Sequence, residues 1–419
     1  MPLAGLWRDR DFLRLWGGQA VSQMGSRISA QALPWAAVLV LGASTFQMGL
    51  LSGAGAASIL LFGLFAGAWT DRLRRRPILI LADLGRAAVL ATVPLAAALH
   101  RLTMGHLYFT AAAAGILTVF FDVSYQAYVP MLVDRKNILD ANGKLALTES
   151  VADVVGPGAA GLLVQWITAP MTILFDAASF LFSAFSIWRI EKREPPQSAP
   201  VQAHMGREIA EGLRISWQHP ILRALTARTA MAAFFAGFIM CLYYVFAIRE
   251  LGLQPGLLGI IVSLGGVSNL AGALVSERLV RRFGLGRVLI GSSLACGGAA
   301  LTPPLAHGPV IACASVLAAG QMFDLGWPIY HINSLSLRQA VTPDRLLGRV
   351  NSAMHLLFWG VLPVGAMAAG AIAQVIGMRA TMLAGAAGFL LSTLWLIASP
   401  IRHIRTLADA APLPAPVSP

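Results

Sequence analysis

The sequence predicts an all-α membrane protein: twelve transmembrane helices arranged as two pseudo-symmetric six-helix bundles. Three observations carry that expectation. First, 57% of the 419 residues are hydrophobic and only 12% are charged, against roughly 25% charged in a soluble domain, and the mean hydropathy is +0.70. Second, twelve apolar runs approach or exceed the roughly 20 residues that a bilayer-spanning helix needs. They cover 14–41, 47–70, 78–99, 105–127, 146–166, 171–190, 222–248, 257–276, 287–306, 309–333, 351–375 and 379–399. Third, the basic residues are sorted by side. With the N-terminus inside, 26 of the 31 Lys and Arg fall on that side, Arg101, Arg249 and Arg379 fall opposite, and Arg27 and Arg86 lie within spans. Positive charge concentrates in this way on the cytoplasmic face, so both termini are expected there. The net charge of +12 is then topology and not a nucleic-acid footprint.

The ends and the cysteines narrow the class. Residues 1–14 carry Arg8, Asp9, Arg10, Asp11 and Arg14, and the apolar run that follows is too long for the core of a cleaved leader. The first span is therefore expected to stay in the membrane. Cys241, Cys296 and Cys313 all sit inside apolar runs, an odd set that suits neither a disulfide framework nor a zinc site. No metal and no cofactor are expected. With no His-Glu-x-x-His, nucleophile elbow or metal-spaced cluster, an enzyme is not expected either.

The longest polar interval, from Glu191 to about Pro220, divides the chain. The expected domains are an N-terminal bundle at 1–190, a cytoplasmic linker at 191–218, a C-terminal bundle at 219–400 and a tail at 401–419. Within the linker, Ile209, Leu213 and Trp217 share one helical face, the pattern of an amphipathic helix at a membrane surface. The halves repeat each other in order: Phe120-Phe121-Asp122 answers Met322-Phe323-Asp324, Asp134-Arg135 answers Asp344-Arg345, and Asp71-Arg72 answers Glu277-Arg278.

The first span carries Gln19, Gln23, Arg27 and Gln31 at i, i+4 spacing, one polar stripe on a helix. Glutamines and an arginine facing lipid are costly, so the stripe is expected to face the bundle interior or a water-filled cavity. The fifth span brings Glu149 and Asp153 at the same spacing. In the third and fourth spans Arg86 and Asp122 lie at compatible depth for a pair, and Asp122 and Asp324 are read as gate or inter-helix charges. Asp176 is read as capping or bridging helices.

Between the second and third spans runs Gly63-Leu-Phe-Ala-Gly67-Ala-Trp-Thr-Asp71-Arg72-Leu-Arg74-Arg75-Arg76-Pro77. It resembles the signature loop of major facilitator superfamily transporters, with Arg74 where that pattern has its second glycine. Residues 12–29, the string Glu211–Arg223 and the string Pro343–Asn351 resemble the branch that holds enterobactin exporters and macrolide-efflux proteins, and the resemblance runs over 8–400. Gly156-Pro157-Gly158-Ala159-Ala160-Gly161 resembles the antiporter motif of the superfamily, with Ala160 replacing a glycine. The resemblance implies that the first and fifth helices line a central cavity, so Arg27 is expected to pair with Asp153 or with Glu149. Two roles stay open for that pair: proton coupling, or a permanent contact that fixes packing. The arginine motif that proton-coupled drug exporters usually carry on the fourth helix is absent from Leu107–Gln126. Gly67, Asp71, Arg72, Arg75 and Arg76 are expected to form a gate loop.

The resulting expectation is proton-driven export of an amphipathic small molecule from the inner membrane of a bacterium. Its partners would be cargo, protons and membrane lipid, with no nucleic acid, acting as a monomer. Uptake symport and lysolipid-type translocation are the alternatives.

Overall fold

The computed structural model describes residues 6, 9–70, 73–134, 137–192, 194 and 205–410. They are helical nearly throughout. In chain order these are α1 (Arg10–Trp35), α2 (Thr45–Thr70), α3 (Arg75–Ala98), α4 (Met104–Leu132), α5 (Ile138–Ile167), α6 (Ala169–Trp188), α7 (Met205–Gln218) and α8 (Pro220–Arg249). There follow α9 (Pro255–Phe283), α10 (Leu285–Leu305), α11 (Val310–Phe323), α12 (Gly326–Val341), α13 (Asp344–Ile376), α14 (Met378–Ser392) and α15 (Leu394–Ile397). Among the described residues, ten helical stretches are long and apolar enough to cross a membrane. The chain is a multi-pass membrane protein.

Local chemistry fixes the helix ends. The Asp9 carboxylate accepts from the amides of Asp11 at 3.0 Å and Phe12 at 3.1 Å, capping α1. Thr103 caps α4 by accepting from His106 N. Gly284 (φ +85°) and Gly377 (φ +83°) make the sharp turns into α10 and α14, a backbone region open to glycine at little cost.

Two compact units result: Met1–Gln202 with Leu253–Ser263, and Ala203–Gly252 with Leu264–Pro419. In the first, Phe12, Leu15, Leu79, Phe121, Tyr128, Leu132 and Ile187 form a buried core. In the second, Leu222, Leu225, Leu289, Leu337, Val341, Val350 and Ile401 do so. Lipid removes most of the hydrophobic drive between helices, so close packing of small residues must hold them. Gly237 of α8 accordingly lies against the backbone of Leu362 and Ala366 on α13, and Gly365 against that of Phe234. Large apolar side chains such as Trp166, Ile311 and Val375 stay on the outside, 74–85% exposed, as a lipid-facing surface requires.

Two features add to the sequence expectation. α7 is helical over the amphipathic stretch; Gly212, Ile215 and Ser216 are its docked face, and Trp217 is 55% exposed. The docking is close: at Gly212 only a hydrogen lies between α7 and the Arg349 carbonyl of α13. Arg349 Nη1 also meets Glu211 Oε1 at 2.7 Å. The tail, in turn, is not a free appendage at its start. Ile401, Ile404 and Ala410 are buried in the core of the second unit.

Candidate functional site

In the first unit α1 and α5 cross at Gly156. A Cβ there would collide with Arg27 Cβ, so the glycine sets how closely Arg27 approaches α5. Arg27 Nε lies 2.6 Å from Asp153 Oδ1, and its Nη2 lies 3.2 Å from Glu149 Oε1. Both carboxylates thus reach one guanidinium, as their i, i+4 spacing permits. All three side chains are partly open, at 38% for Arg27, 37% for Asp153 and 56% for Glu149. An exposed pair of this kind contributes about 0–1 kcal/mol to stability.

Beside this triad is a cavity of about 370 Å³ lined by Gln19, Gln23, Tyr125, Gln126, Asn142, Thr148 and Glu149, with a few apolar neighbours. Four amides, a hydroxyl and a phenol supply donors and acceptors, and Glu149 is its single charged lining residue. Gln19 also reaches back to α6, donating to Ser183 Oγ at 3.3 Å. Trp16 Nε1 donates to Thr148 Oγ1 at 3.0 Å and ties α1 to α5 at one rim of the cavity. Gln31 is half-buried one turn beyond Arg27.

The helix-5 motif continues this seam toward the start of α9, whose first residues cluster with the first unit. Gly161 lies against the backbone at Pro255, Gly256 and Gly259, and Gly259 against the Pro157 carbonyl. Gly158 N donates to Ser263 Oγ at 2.8 Å. Gln165 Nε2 donates to Gln254 Oε1 at 3.3 Å.

The expected pairing of Arg86 with Asp122 is not what forms. Arg86 pairs with Asp83 on its own helix, donates to Thr118 Oγ1 at 3.4 Å, and lies between the rings of Phe121 at 4.3 Å and Phe180 at 4.0 Å. Thr118 and Phe121 are the residues of α4 that meet Arg86. Asp122 forms no ion pair with it, because the guanidinium is taken up by Asp83. Asp122 is exposed, one turn before the cavity residues Tyr125 and Gln126. Asp324 sits in the break between α11 and α12 and has no ion pair among the described residues.

Asp176, read from the sequence as a capping or bridging residue, is 2% exposed, and its carboxylate accepts from Ser179 Oγ at 3.2 Å on its own helix. Two buried groups, Asp83 and Arg228, went unweighted in the sequence reading, and Asp83 is 0% exposed. Arg228, 2% exposed within α8, donates to Ser293 Oγ and lies 3.7 Å from the Tyr330 ring. The i, i+3 spacing of Asp83 and Arg86 was a visible signal. Arg228 had none, because its position near the end of an apolar run reads as a flank.

The gate-loop residues are described in part. Gly67 lies within α2, and Asp71 and Arg72 lie outside the described residues. Arg75 Nη1 donates to Ala127 O at 3.3 Å, and Arg76 grips the end of α6 through Ile187 O at 3.2 Å and Trp188 O at 2.5 Å.

Comparison with known proteins shows what the chain as a whole is similar to. A family model described as a transmembrane secretion effector matches residues 2–417. The chain is 30% identical over 376 residues to the multidrug efflux pump Tap of Mycolicibacterium fortuitum, covering 86% of this chain and 88% of that protein. It is 24% identical over 407 residues to macrolide efflux protein A of Streptococcus pyogenes, covering 94% and 97%. Among solved structures, the nucleoside transporter NupG superposes with a TM-score of 0.78 at 10% identity, covering 93% of this chain and 99% of that one. A bacterial homologue of the iron transporter ferroportin in an inward-facing state gives 0.75 at 17%, covering 93% and 98%. These last two likenesses concern the fold alone.

Proposed function

Because the chain belongs to the transmembrane secretion effector family of major facilitator transporters, we propose that it exports amphipathic small molecules by proton-driven alternating access. The reading places twelve spanning helices in two six-helix bundles, over 1–190 and 219–400, in a bacterial inner membrane. Both termini are cytoplasmic and the transporter is a monomer. The observation that carries the proposal is Arg27 held between Asp153 and Glu149 at the wall of a hydrogen-bonding cavity.

With all three groups ionised the triad carries one negative charge in excess. One proton on either carboxylate neutralises it and leaves Arg27 with a single partner. A protonated amine of a cargo beside Glu149 has the same electrostatic effect. Proton and cargo then compete for one charge, which is the relation that antiport requires. The amide-rich lining favours a cargo rich in hydrogen-bonding groups over a lysolipid acyl chain. The named efflux relatives, a multidrug pump and a macrolide protein, support a drug-like cargo. Gly156, Pro157 and Gly161 keep the α1–α5 crossing and the seam toward α9 tight. The loop of Gly67, Asp71, Arg72, Arg75 and Arg76 is read as a gate that closes the inside when the cavity opens outward. Replacing Asp71 with Asn would then raise the inside-open population while leaving topology intact.

Reconstitution into liposomes tests the reading, with an imposed pH gradient and a macrolide as probe. The expected result is macrolide transport that collapses with the gradient, together with proton movement on adding macrolide. Macrolide transport with no accompanying proton movement would remove antiport.

A further inference from the structure

The start of α3 is held by a carboxylate from a distant part of the chain. Arg75 N donates to Glu194 Oε2 at 2.8 Å and Arg76 N to Glu194 Oε1 at 2.5 Å. Both oxygens of one side chain are thereby spent on two of the amides that a helix start leaves unsatisfied. A negative group there is also favoured by the helix dipole. The grip is reciprocal, because the Arg76 side chain holds the last carbonyls of α6 at Ile187 and Trp188, a few residues before Glu194. The segment between them is tied further. Glu191 N and Lys192 N donate to the Asp11 carboxylate of α1 at 3.1 and 2.9 Å. Lys192 Nζ donates to Leu132 O at the end of α4, at 2.8 Å.

The second unit builds the same device from different atoms. After α15 the chain returns to the start of α10, where Leu285 N donates to Arg405 O at 3.0 Å and Gly286 N to Ile404 O at 2.8 Å. Ile401 and Ile404 anchor that return in the core. Asp409 Oδ2 accepts from the amides of Arg405 and Thr406, which holds its shape. In each unit the segment that leaves the last helix caps the third helix of that unit's repeat.

We propose that Glu194 is a positioning residue: it fixes the start of α3 to the exit of α6. Residues 401–409 hold α10 in the same way. The holding of α3 does not depend on what the protein carries; its consequence for transport rests on the export reading above.

The test uses the full chain in nanodiscs, with hydrogen exchange of the peptide spanning 73–80 compared in wild type, Glu194→Ala and Glu194→Gln. The amides of Arg75 and Arg76 should exchange faster in the alanine variant by about tenfold or more, the loss expected for a charge-assisted hydrogen bond. The glutamine variant, which keeps one acceptor oxygen, should fall between. Peptides from α10 should not change, since their cap is separate. Unchanged exchange at 75–76, or a rise spread over both units, overturns the local role. In liposomes with macrolide as probe, the alanine variant should lose maximal rate while KM stays within about twofold, because Glu194 is outside the cavity lining. Full maximal rate despite faster local exchange overturns the transport part. A wild type that moves no macrolide counts against the export reading, and the exchange comparison still decides Glu194.

Discussion

Arg27 and Asp153 meet at 2.6 Å through Nε, while the second carboxylate, Glu149, stands at 3.2 Å and alone lines the cavity. The two acids are therefore not equivalent. On the proposed export reading, Asp153 positions the arginine and Glu149 presents charge to the cargo. Asp153→Asn and Glu149→Gln are each expected to lower pH-gradient-driven export at least about tenfold, a coupling of ~1.4 kcal/mol. Because the pair is open to solvent, thermal stability should move by no more than about 1 kcal/mol. Only Glu149→Gln should also weaken binding of a cationic probe. Full proton-driven export by both variants would remove the triad from coupling.

Gly156 sets the distance over which that triad forms. A β-carbon there meets the stem of Arg27, so Gly156→Val should displace the guanidinium and cost about 1–3 kcal/mol by overpacking. Melting of the purified variant and its transport rate should fall together. A valine variant with wild-type transport would show that the crossing tolerates a wider spacing than the structure has.

Asp83 and Arg86 behave as a unit. Their side chains are 0% and 5% exposed, and removing one partner of a buried pair leaves an uncompensated charge worth about 3–5 kcal/mol. Arg86→Leu should therefore express poorly or melt early. The double variant Asp83→Leu with Arg86→Leu should recover most of the loss. A double variant as unstable as the single one would mean that the rings of Phe121 and Phe180, not the carboxylate, are what Arg86 supports.

The tie between α1 and the exit of α6 should respond to acid in a defined direction. Burial by itself raises the Asp11 carboxyl, but the amides of Glu191 and Lys192 and the Arg14 guanidinium outweigh it and hold the group below the usual carboxylate range. A depressed acid contributes stability above its unfolded value and loses it as pH falls through the lower folded value. The Glu191 and Lys192 amides should thus stay protected through mildly acidic pH and open only below the ordinary carboxylate range. Exchange rates corrected for their intrinsic pH dependence would show this, and Asp11→Asn should abolish the transition.

The sequence by itself determined the membrane class and the family, because these rest on quantities summed over many residues. Apolar run length, the sorting of basic residues and the ordered repeats survive any local misreading. It also placed Arg27, Glu149 and Asp153 in play, since a charge inside an apolar run is visible without coordinates. Tertiary structure decided which charges meet. Arg86 took Asp83 of its own helix as partner and the Phe121 ring as neighbour, and formed no ion pair with Asp122. Backbone carbonyls, which no side-chain pattern reports, took up Arg75 and Arg76. Glu194, in a stretch that reads as linker, became the cap of α3, because two unsatisfied amides form a site only once the chain has folded back to them.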